Sequence, residues 1–208
     1  MAHVTDVPEG MNPEARASWP SRELIEQWLG DFDFELRPGE DVSVPSDDAG
    51  AQAAARRFRD VLGRFATGVT VITAMSGDEP VGMTCQSFSS VSLTPPLVLF
   101  CPAKTSRAWP LIQRSGKFAV NLLAHGQDDV SNTMATKGID KFANVGWQPS
   151  AVTGSPLLHG TLGHIDCSIH AVHEAGDHYI VVGLVEDLHT SDVPDPLLFF
   201  QGRYAKPE

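Results

Sequence analysis

Short polar side chains crowd one segment of this sequence, residues 82–96, which read GMTCQSFSSVSLTPP between two apolar runs. The donors and acceptors of this segment are Thr84, Gln86, Ser87, Ser89, Ser90, Ser92 and Thr94. Hydroxyl groups and loop amides can hold a phosphate or hydrogen-bond the edge of a planar heterocycle. The segment therefore indicates a binding loop, and a Ser/Thr-rich loop without a ligand is the alternative.

A second candidate site is the segment CPAKTSRAW, residues 101–109, which follows an apolar run and precedes a helical pattern. Thr105 or Ser106 can cap that helix, with Lys104 and Arg107 beside the cap. Free amides at a helix N-terminus, the helix dipole and two cations all favour an anion at the same place. The segment predicts a phosphate site, and the alternative is a solvated pair of basic residues.

Five histidines lie within twenty residues: His159, His164, His170, His173 and His178. Alternate residues of one strand stand about 6.6 Å apart, which is too far for one metal ion without ligands from other strands. We therefore predict a solvated sheet face and no metal site. His178 differs because it follows the turn residues Gly176 and Asp177, where a side chain can project toward a ligand.

Other catalytic signatures are absent from the sequence. It contains no GxSxG, no HExxH and no paired Cys and His motif, so a hydrolase finds little support. A GxGxxG between strand and helix and a GxxxxGK[ST] are missing as well, which leaves no argument for a Rossmann or P-loop phosphate site. A cofactor that brings its own chemistry suits a chain with few evident catalytic side chains.

The elements that must position these segments are mostly strands. Seven runs rich in β-branched and aromatic residues, separated by turn signals, predict a barrel or sandwich. The clearest is the hairpin HAVHEAGDHYIVVG, in which a short Gly-containing turn joins two long runs. Helices are predicted near residues 106–115 and 127–136, and a third from Ala53, with Phe58, Val61, Leu62 and Phe65 on one face.

The N-terminal quarter has a different character. Residues 1–50 hold twelve acidic residues against three arginines, which places −9 of the net charge of −11 there. One helix is predicted at residues 21–29. The segment is either a disordered leader or an arm whose Trp19, Trp28, Phe32 and Phe34 dock on the main domain or a dimer mate. We predict an extension over residues 1–52 and one domain over residues 53–208.

Charge and composition limit the classes of partner that can be expected. No basic stripe is present, so nucleic-acid binding is not expected, and an acidic exterior is repelled by anionic membranes. No stretch approaches the roughly 20 apolar residues of a membrane span, and we expect a cytoplasmic protein. Cys85, Cys101 and Cys167 are widely spaced, which indicates neither a disulfide framework nor a zinc site.

The motifs taken in order resemble a known family. FRDVLGRFATGVTVIT, PVGMTCQSFSSVSLTPPLVLFCPAKTSRAW, GKFAVNLL, DKFANVGW, GDHYIVVGLVEDL and PLLFFQGRY are similar, over about residues 55–205, to the flavin reductases with the FMN-binding split-barrel fold. The likeness is greatest to reductase components of two-component flavin monooxygenases. It implies a mainly β fold, an antiparallel Greek-key split barrel with a few flanking helices and, here, an N-terminal extension.

The resemblance also implies the activity and its cofactors. The chain is expected to pass a hydride from NADH or NADPH to FMN or FAD, as a homodimer that supplies reduced flavin to a separate monooxygenase. Positioning then replaces acid–base catalysis, so no catalytic side chain is predicted. Three alternatives stay open: a non-catalytic flavin carrier or sensor of the same fold, an interaction module that uses the acidic arm, and a metal-dependent hydrolase.

Site residues follow from the resemblance block by block. Flavin contacts are expected from Gly82, Met83, Thr84, Gln86 and Ser87 and, near the ribityl and phosphate groups, from Cys101, Pro102, Ala103, Lys104, Ser106 and Arg107. His178 is expected to position the nicotinamide, with Phe200, Gly202 and Tyr204 near the same pocket. Gln201 stands where relatives often have Arg, which puts a phosphate contact there in doubt.

Overall fold

The computed structural model describes residues 48–136 and 138–205. The helix predicted at residues 21–29 and the aromatic side chains Trp19, Trp28, Phe32 and Phe34 lie outside the described residues. No helix in the described part of the chain has the length and apolar character needed to cross a membrane.

Strands dominate the described chain, as predicted. The strands are β1 Thr67–Gly68, β2 Thr70–Ser76, β3 Glu79–Cys85, β4 Ser89–Leu93, β5 Pro96–Phe100, β6 Lys117–Leu122, β7 Trp147–Pro149, β8 Pro156–Leu158, β9 Gly163–Ala175, β10 His178–Thr190, β11 Leu198–Phe200 and β12 Arg203–Ala205. The helices are α1 Ala49–Leu62, α2 Ala108–Ser115 and α3 Asp128–Ala135. All seven predicted runs contain strands. The sequence missed β4, which is polar and largely exposed, and β7 and β8, which have three residues each.

Seven strands form the main sheet, in the order β3-β2-β6-β9-β10-β5-β4, and every neighbouring pair is antiparallel. A three-stranded sheet, β1-β11-β12, and the β7-β8 pair complete the described sheets. The longest pairing is the predicted hairpin of β9 and β10, which turns at Gly176 and Asp177. Two register shifts in this pairing bend the hairpin.

The connection between the two edge strands requires the main sheet to curl. β3 and β4 are the outermost strands, yet only residues 86–88 separate Cys85 from Ser89. In a flat sheet seven strands wide the edges would stand about 29 Å apart. The link can span at most about 14 Å. The sheet therefore closes toward a barrel with a split between its edges, which confirms the predicted fold class.

An aromatic core fixes α2 against this sheet. Trp109 of α2 is 1% exposed and packs against Phe100 and Tyr179, with ring centroids 5.9 and 6.1 Å apart. Phe118 continues the cluster at 5.1 Å from Phe100. Gly183 makes room for it, because a Cβ at that position would lie 2.5 Å from Phe118 Cζ. The start of α2 is thereby held beside the end of β5 and the start of β10.

The first helix differs in part from its prediction. It begins at Ala49 after Asp48, whose carboxylate accepts the amide of Ala51 at 2.9 Å, and so spans the expected domain boundary at residues 52 and 53. It ends at Leu62, so Phe65 lies in the turn that follows and not on the helix. None of its residues is buried.

Candidate functional site

A cavity of about 850 Å³ opens beside β3. Its volume lies in the range that holds a drug-sized or cofactor-sized ligand. Gly82, Met83 and Thr84 of β3 form one part of its lining, and Ala103, Thr105, Ser106 and Arg107 form another. A third part comes from the end of α3 and the segment after it, and includes Met134, Ala135, Lys141 and Phe142.

A second cavity of about 690 Å³ adjoins the first. The residues that line both are Met83, Thr84, Ala103 and Ala135. Gln86, Ser87 and Cys101 line the second cavity, together with His178, Gly202 and Tyr204. The segments that the sequence singled out therefore surround one continuous region of the barrel.

Ser87 joins the two sides of the split. Its hydroxyl accepts the amide of Cys101 at 2.9 Å and lies 3.1 Å from the sulfur of Cys85. The end of β3 is thus bound to the residue that follows β5. Burial raises the pKa of the Cys85 thiol, which therefore remains protonated as a small core group.

The loop of residues 101–107 is bound through its backbone to the start of β10. The amide of Tyr179 donates to the carbonyl oxygen of Pro102 at 3.0 Å, and the amide of Lys104 donates to that of Asp177 at 2.9 Å. Ser106 Oγ accepts the amide of Trp109 at 3.2 Å, as an N-terminal cap does. The start of α2 and Arg107 therefore lie at the cavity wall, where free helix amides and a cation favour an anion.

Lys104 faces away from this site. Its ammonium lies 3.1 Å from a carboxylate oxygen of Glu174 and 5.5 Å from the centre of the Tyr179 ring. Neither cavity is lined by it. Pro102, which is buried, and Phe200, which is 36% exposed, also lie outside both linings.

His178 is the first residue of β10 and directly follows the turn of the hairpin, as expected. Its Nδ1 is 2.8 Å from Asp177 Oδ1, and this hydrogen bond lowers the pKa of the aspartate. A carboxylate can only accept, so Nδ1 carries the proton and Nε2 is left as an acceptor in the neutral ring. The pair gives the second cavity one oriented imidazole.

Strand β11 places the residue next to the predicted Phe200 at the second cavity. Phe199, not Phe200, lines the second cavity, because successive side chains of β11 point to opposite faces. Its ring packs edge-on against Tyr204, with centroids 5.4 Å apart. The hydroxyl of Tyr204 lies 2.8 Å from Asn132 Oδ1 and so holds β12 against α3.

The segment after α3 supplies residues that the sequence did not reveal. Lys141 donates to the carbonyl oxygens of Gly82, at 3.0 Å, and Met134, at 2.7 Å. Gly82 is needed for this close packing, since a Cβ there would lie 3.2 Å from both Met134 Sδ and Phe142 Cζ. The block DKFANVGW contributed to the resemblance, but no spacing in it indicated a ligand.

The histidine segment forms no metal centre in the described residues. No group of three or more His, Cys, Asp or Glu side chains stands close enough in that part of the chain to hold an ion.

Comparison with known proteins identifies the family. Residues 62–208 match the family model described as flavin reductase like domain. The chain belongs to this family. Its resemblance to the flavin reductases, inferred from the motifs, is thereby confirmed.

Individual relatives are similar over three quarters of the chain. The reductase subunit HsaB of a flavin-dependent monooxygenase of Mycobacterium tuberculosis is 52% identical over 159 residues, which are 74% of this chain and 83% of that protein. Among solved structures, a nitrilotriacetate monooxygenase component B homologue from Mycobacterium thermoresistibile is 49% identical with a TM-score of 0.73, over 76% of this chain and 88% of that one.

A further solved relative carries ligands. The NADH:FAD oxidoreductase SgcE6 of Streptomyces globisporus, in complex with NAD and FAD fragments, is 38% identical with a TM-score of 0.70. The match covers 74% of this chain and 92% of that one. The relatives are named as reductases, which supports the prediction of an enzyme.

Substitution of Thr84 tests how β3 is held against α3. Its hydroxyl donates to the carbonyl oxygen of Ser131 at 2.6 Å and so joins β3 to α3. Thr84→Val should lower the free energy of unfolding by about 1 kcal/mol, the usual value of one hydrogen bond, in urea titrations. Thr84→Ser, which keeps the hydroxyl, is the matched control and should change stability less. Unchanged stability of the valine variant, with a tenfold loss of flavin affinity, would contradict this role.

Proposed function

We propose that this chain is the flavin reductase component of a two-component monooxygenase, which oxidises NADH, reduces FMN or FAD and supplies the reduced flavin to a separate oxygenase. The observation that carries the proposal is the pair of adjoining cavities, one lined by Arg107 at the start of α2 and the other by His178, which is bonded to Asp177. A phosphate-bearing flavin and a nicotinamide are two ligands of that description. The family and the reductase names of its relatives support the same activity.

The lining fits a flavin in chemical terms. Arg107 and the first amides of α2 would hold the phosphate. The backbone of β3 at Gly82, Met83 and Thr84 would lie along the ring system and the ribityl chain. Gln86 and Ser87 would offer hydrogen bonds to the polar edge of the ring.

Positioning is the main contribution of the protein. Bound flavin supplies the chemistry by accepting a hydride from the C4 carbon of the nicotinamide when the two rings stack at reaction distance. His178 would orient the nicotinamide from the second cavity, with its ring fixed by Asp177. Phe199 and Tyr204 would bound that cavity with apolar rings.

NADH is the preferred reductant in this proposal. Arg203 is the single cation among the described residues that line the second cavity, and no basic cluster accompanies it. A 2′-phosphate is normally held by more than one charge-assisted bond. We propose that the protein acts in the cytoplasm.

NADH consumption by the purified full-length protein tests the proposed function. Absorbance at 340 nm is followed in air with no flavin, FMN, FAD or riboflavin. Oxidation that depends on added flavin is the expected result. Flavin binding without oxidation of NADH or NADPH would instead identify a carrier or sensor. NADH oxidation in the absence of any flavin would refute the proposal.

The substitutions Arg107→Ala and His178→Ala should affect different ligands, because the two residues line different cavities. The arginine variant should raise the Kd for FMN about tenfold through the loss of one charge-assisted contact, and leave the KM for NADH unchanged. The histidine variant should raise the KM for NADH and leave the Kd for FMN within about twofold. Fluorescence titration gives the first quantity and steady-state kinetics the second. Negligible effects of both substitutions would contradict the assignment.

We also propose a homodimer, as the resemblance implies, in which α1 is covered by a second copy. Phe58, Val61 and Leu62 on this helix are 65%, 60% and 54% exposed, an apolar surface that a monomer rarely leaves in water. Light scattering should give twice the mass of one chain. Leu62→Asp should give the mass of one chain, whereas Val152→Asp, at an apolar residue 49% exposed elsewhere, should not.

A dimeric Leu62→Asp variant would contradict this surface. A single-chain mass for the unchanged protein would contradict the homodimer itself.

A further inference from the structure

Lys141 is a partly buried cation that bonds to backbone groups. Its ammonium donates to two backbone carbonyl oxygens, and in the described part of the chain no carboxylate forms an ion pair with it. Burial lowers the pKa of this lysine, which reflects the cost of holding a charge away from water. Groups of this kind are usually paired or lie at a site that receives a charged ligand.

The local contacts leave part of its binding capacity unused. An ammonium has three donors, and two of them go to Gly82 O and Met134 O. Carbonyl dipoles orient the group but do not neutralise its charge. One donor and a full positive charge therefore remain at the wall of the larger cavity.

The acidic residues of the same lining do not compensate the charge of Lys141. Asp140 accepts the amide of Phe142 at 3.0 Å, so its carboxylate caps its own turn. Glu79 is exposed at the start of β3 and forms no ion pair with Lys141. The remaining cation of the described lining is Arg107, at the start of α2.

We propose that Lys141 is the second phosphate ligand of the flavin site and that, with Arg107, it makes the reductase select phosphorylated flavins over riboflavin. This inference rests on the proposed function and adds a specificity-determining residue to it. Phosphate is the part of FMN and FAD that carries negative charge, and riboflavin lacks it. Two cations on one cavity discriminate between these ligands by charge and not by ring shape.

Lys104 is the natural comparison because the sequence favoured it for this role. Its charge is already compensated by Glu174, and it lies outside the lining. The two lysines therefore differ in the property that the proposal requires, an uncompensated charge at the cavity. Lys104→Met is the matched control for Lys141→Met.

The experiment is a pair of equilibrium titrations on the full-length protein. The Kd values of FMN and riboflavin are measured by quenching of flavin fluorescence, without NADH, for the unchanged protein and for Lys141→Met, Lys141→Arg, Lys141→Gln and Lys104→Met. Lys141→Met should weaken FMN binding about tenfold and change riboflavin binding less than about twofold. Lys141→Arg should keep the preference for FMN, and Lys104→Met should leave both Kd values unchanged.

Lys141→Gln separates charge from structural support. Its amide can still donate to a carbonyl oxygen but carries no charge, so it should lose the preference for FMN as the methionine variant does. Added salt should weaken FMN binding more in the unchanged protein than in either neutral variant. Thermal unfolding of each variant shows whether the fold is retained.

Several results would overturn the inference. An unchanged FMN-to-riboflavin affinity ratio in the neutral variants, or an equal loss of both affinities, would make Lys141 a purely structural group. Loss of the preference for FMN over riboflavin in Lys104→Met would identify Lys104 as the phosphate ligand instead. In these cases flavin-dependent NADH oxidation by the unchanged protein would still stand, whereas failure of that protein to bind any flavin would refute the proposed function as well.

Discussion

The short link of residues 86–88 is the constraint on which the rest of the structure depends. Because it joins the two edge strands of a seven-stranded sheet, the sheet has to curl until those edges meet. The edges are not paired with each other, so a split remains, bridged by the hydroxyl of Ser87. The second cavity is lined by Gln86 and Ser87 of this link, and the first cavity adjoins it along β3. Curling of the sheet therefore brings the walls of the second cavity together.

The site is assembled from elements that the sheet brings together from distant parts of the chain. The aromatic core holds the start of α2 and Arg107, the hairpin presents His178, and packing of the loop after α3 on Gly82 places Lys141. Acid–base groups are few among these residues, whereas cations and oriented donors are present. Such a lining suits a ligand that carries its own redox chemistry.

Much of this arrangement could be predicted from the sequence, and the gaps have physical causes. Runs rich in β-branched and aromatic residues predicted the long strands and the hairpin. The helix near residues 106–115 was predicted between two of these runs, and the order of motifs indicated the family. The sequence could not show that Glu174 compensates Lys104, since seventy residues separate the pair along the chain. Nor could it show that Lys141 reaches Gly82 or that Phe199 faces inward, because each depends on how one element packs on another.

Rapid mixing of the flavin-loaded protein with NADH, without oxygen, tests the central claim most directly. A single turnover is followed at the visible absorption band of the flavin, with NADH and with NADH carrying deuterium at the transferred C4 position. If both rings are held together at the split, the band bleaches while the flavin is still bound, and deuterium slows the bleaching. An unbleached bound flavin, or bleaching that begins only after release of the flavin, would contradict the account.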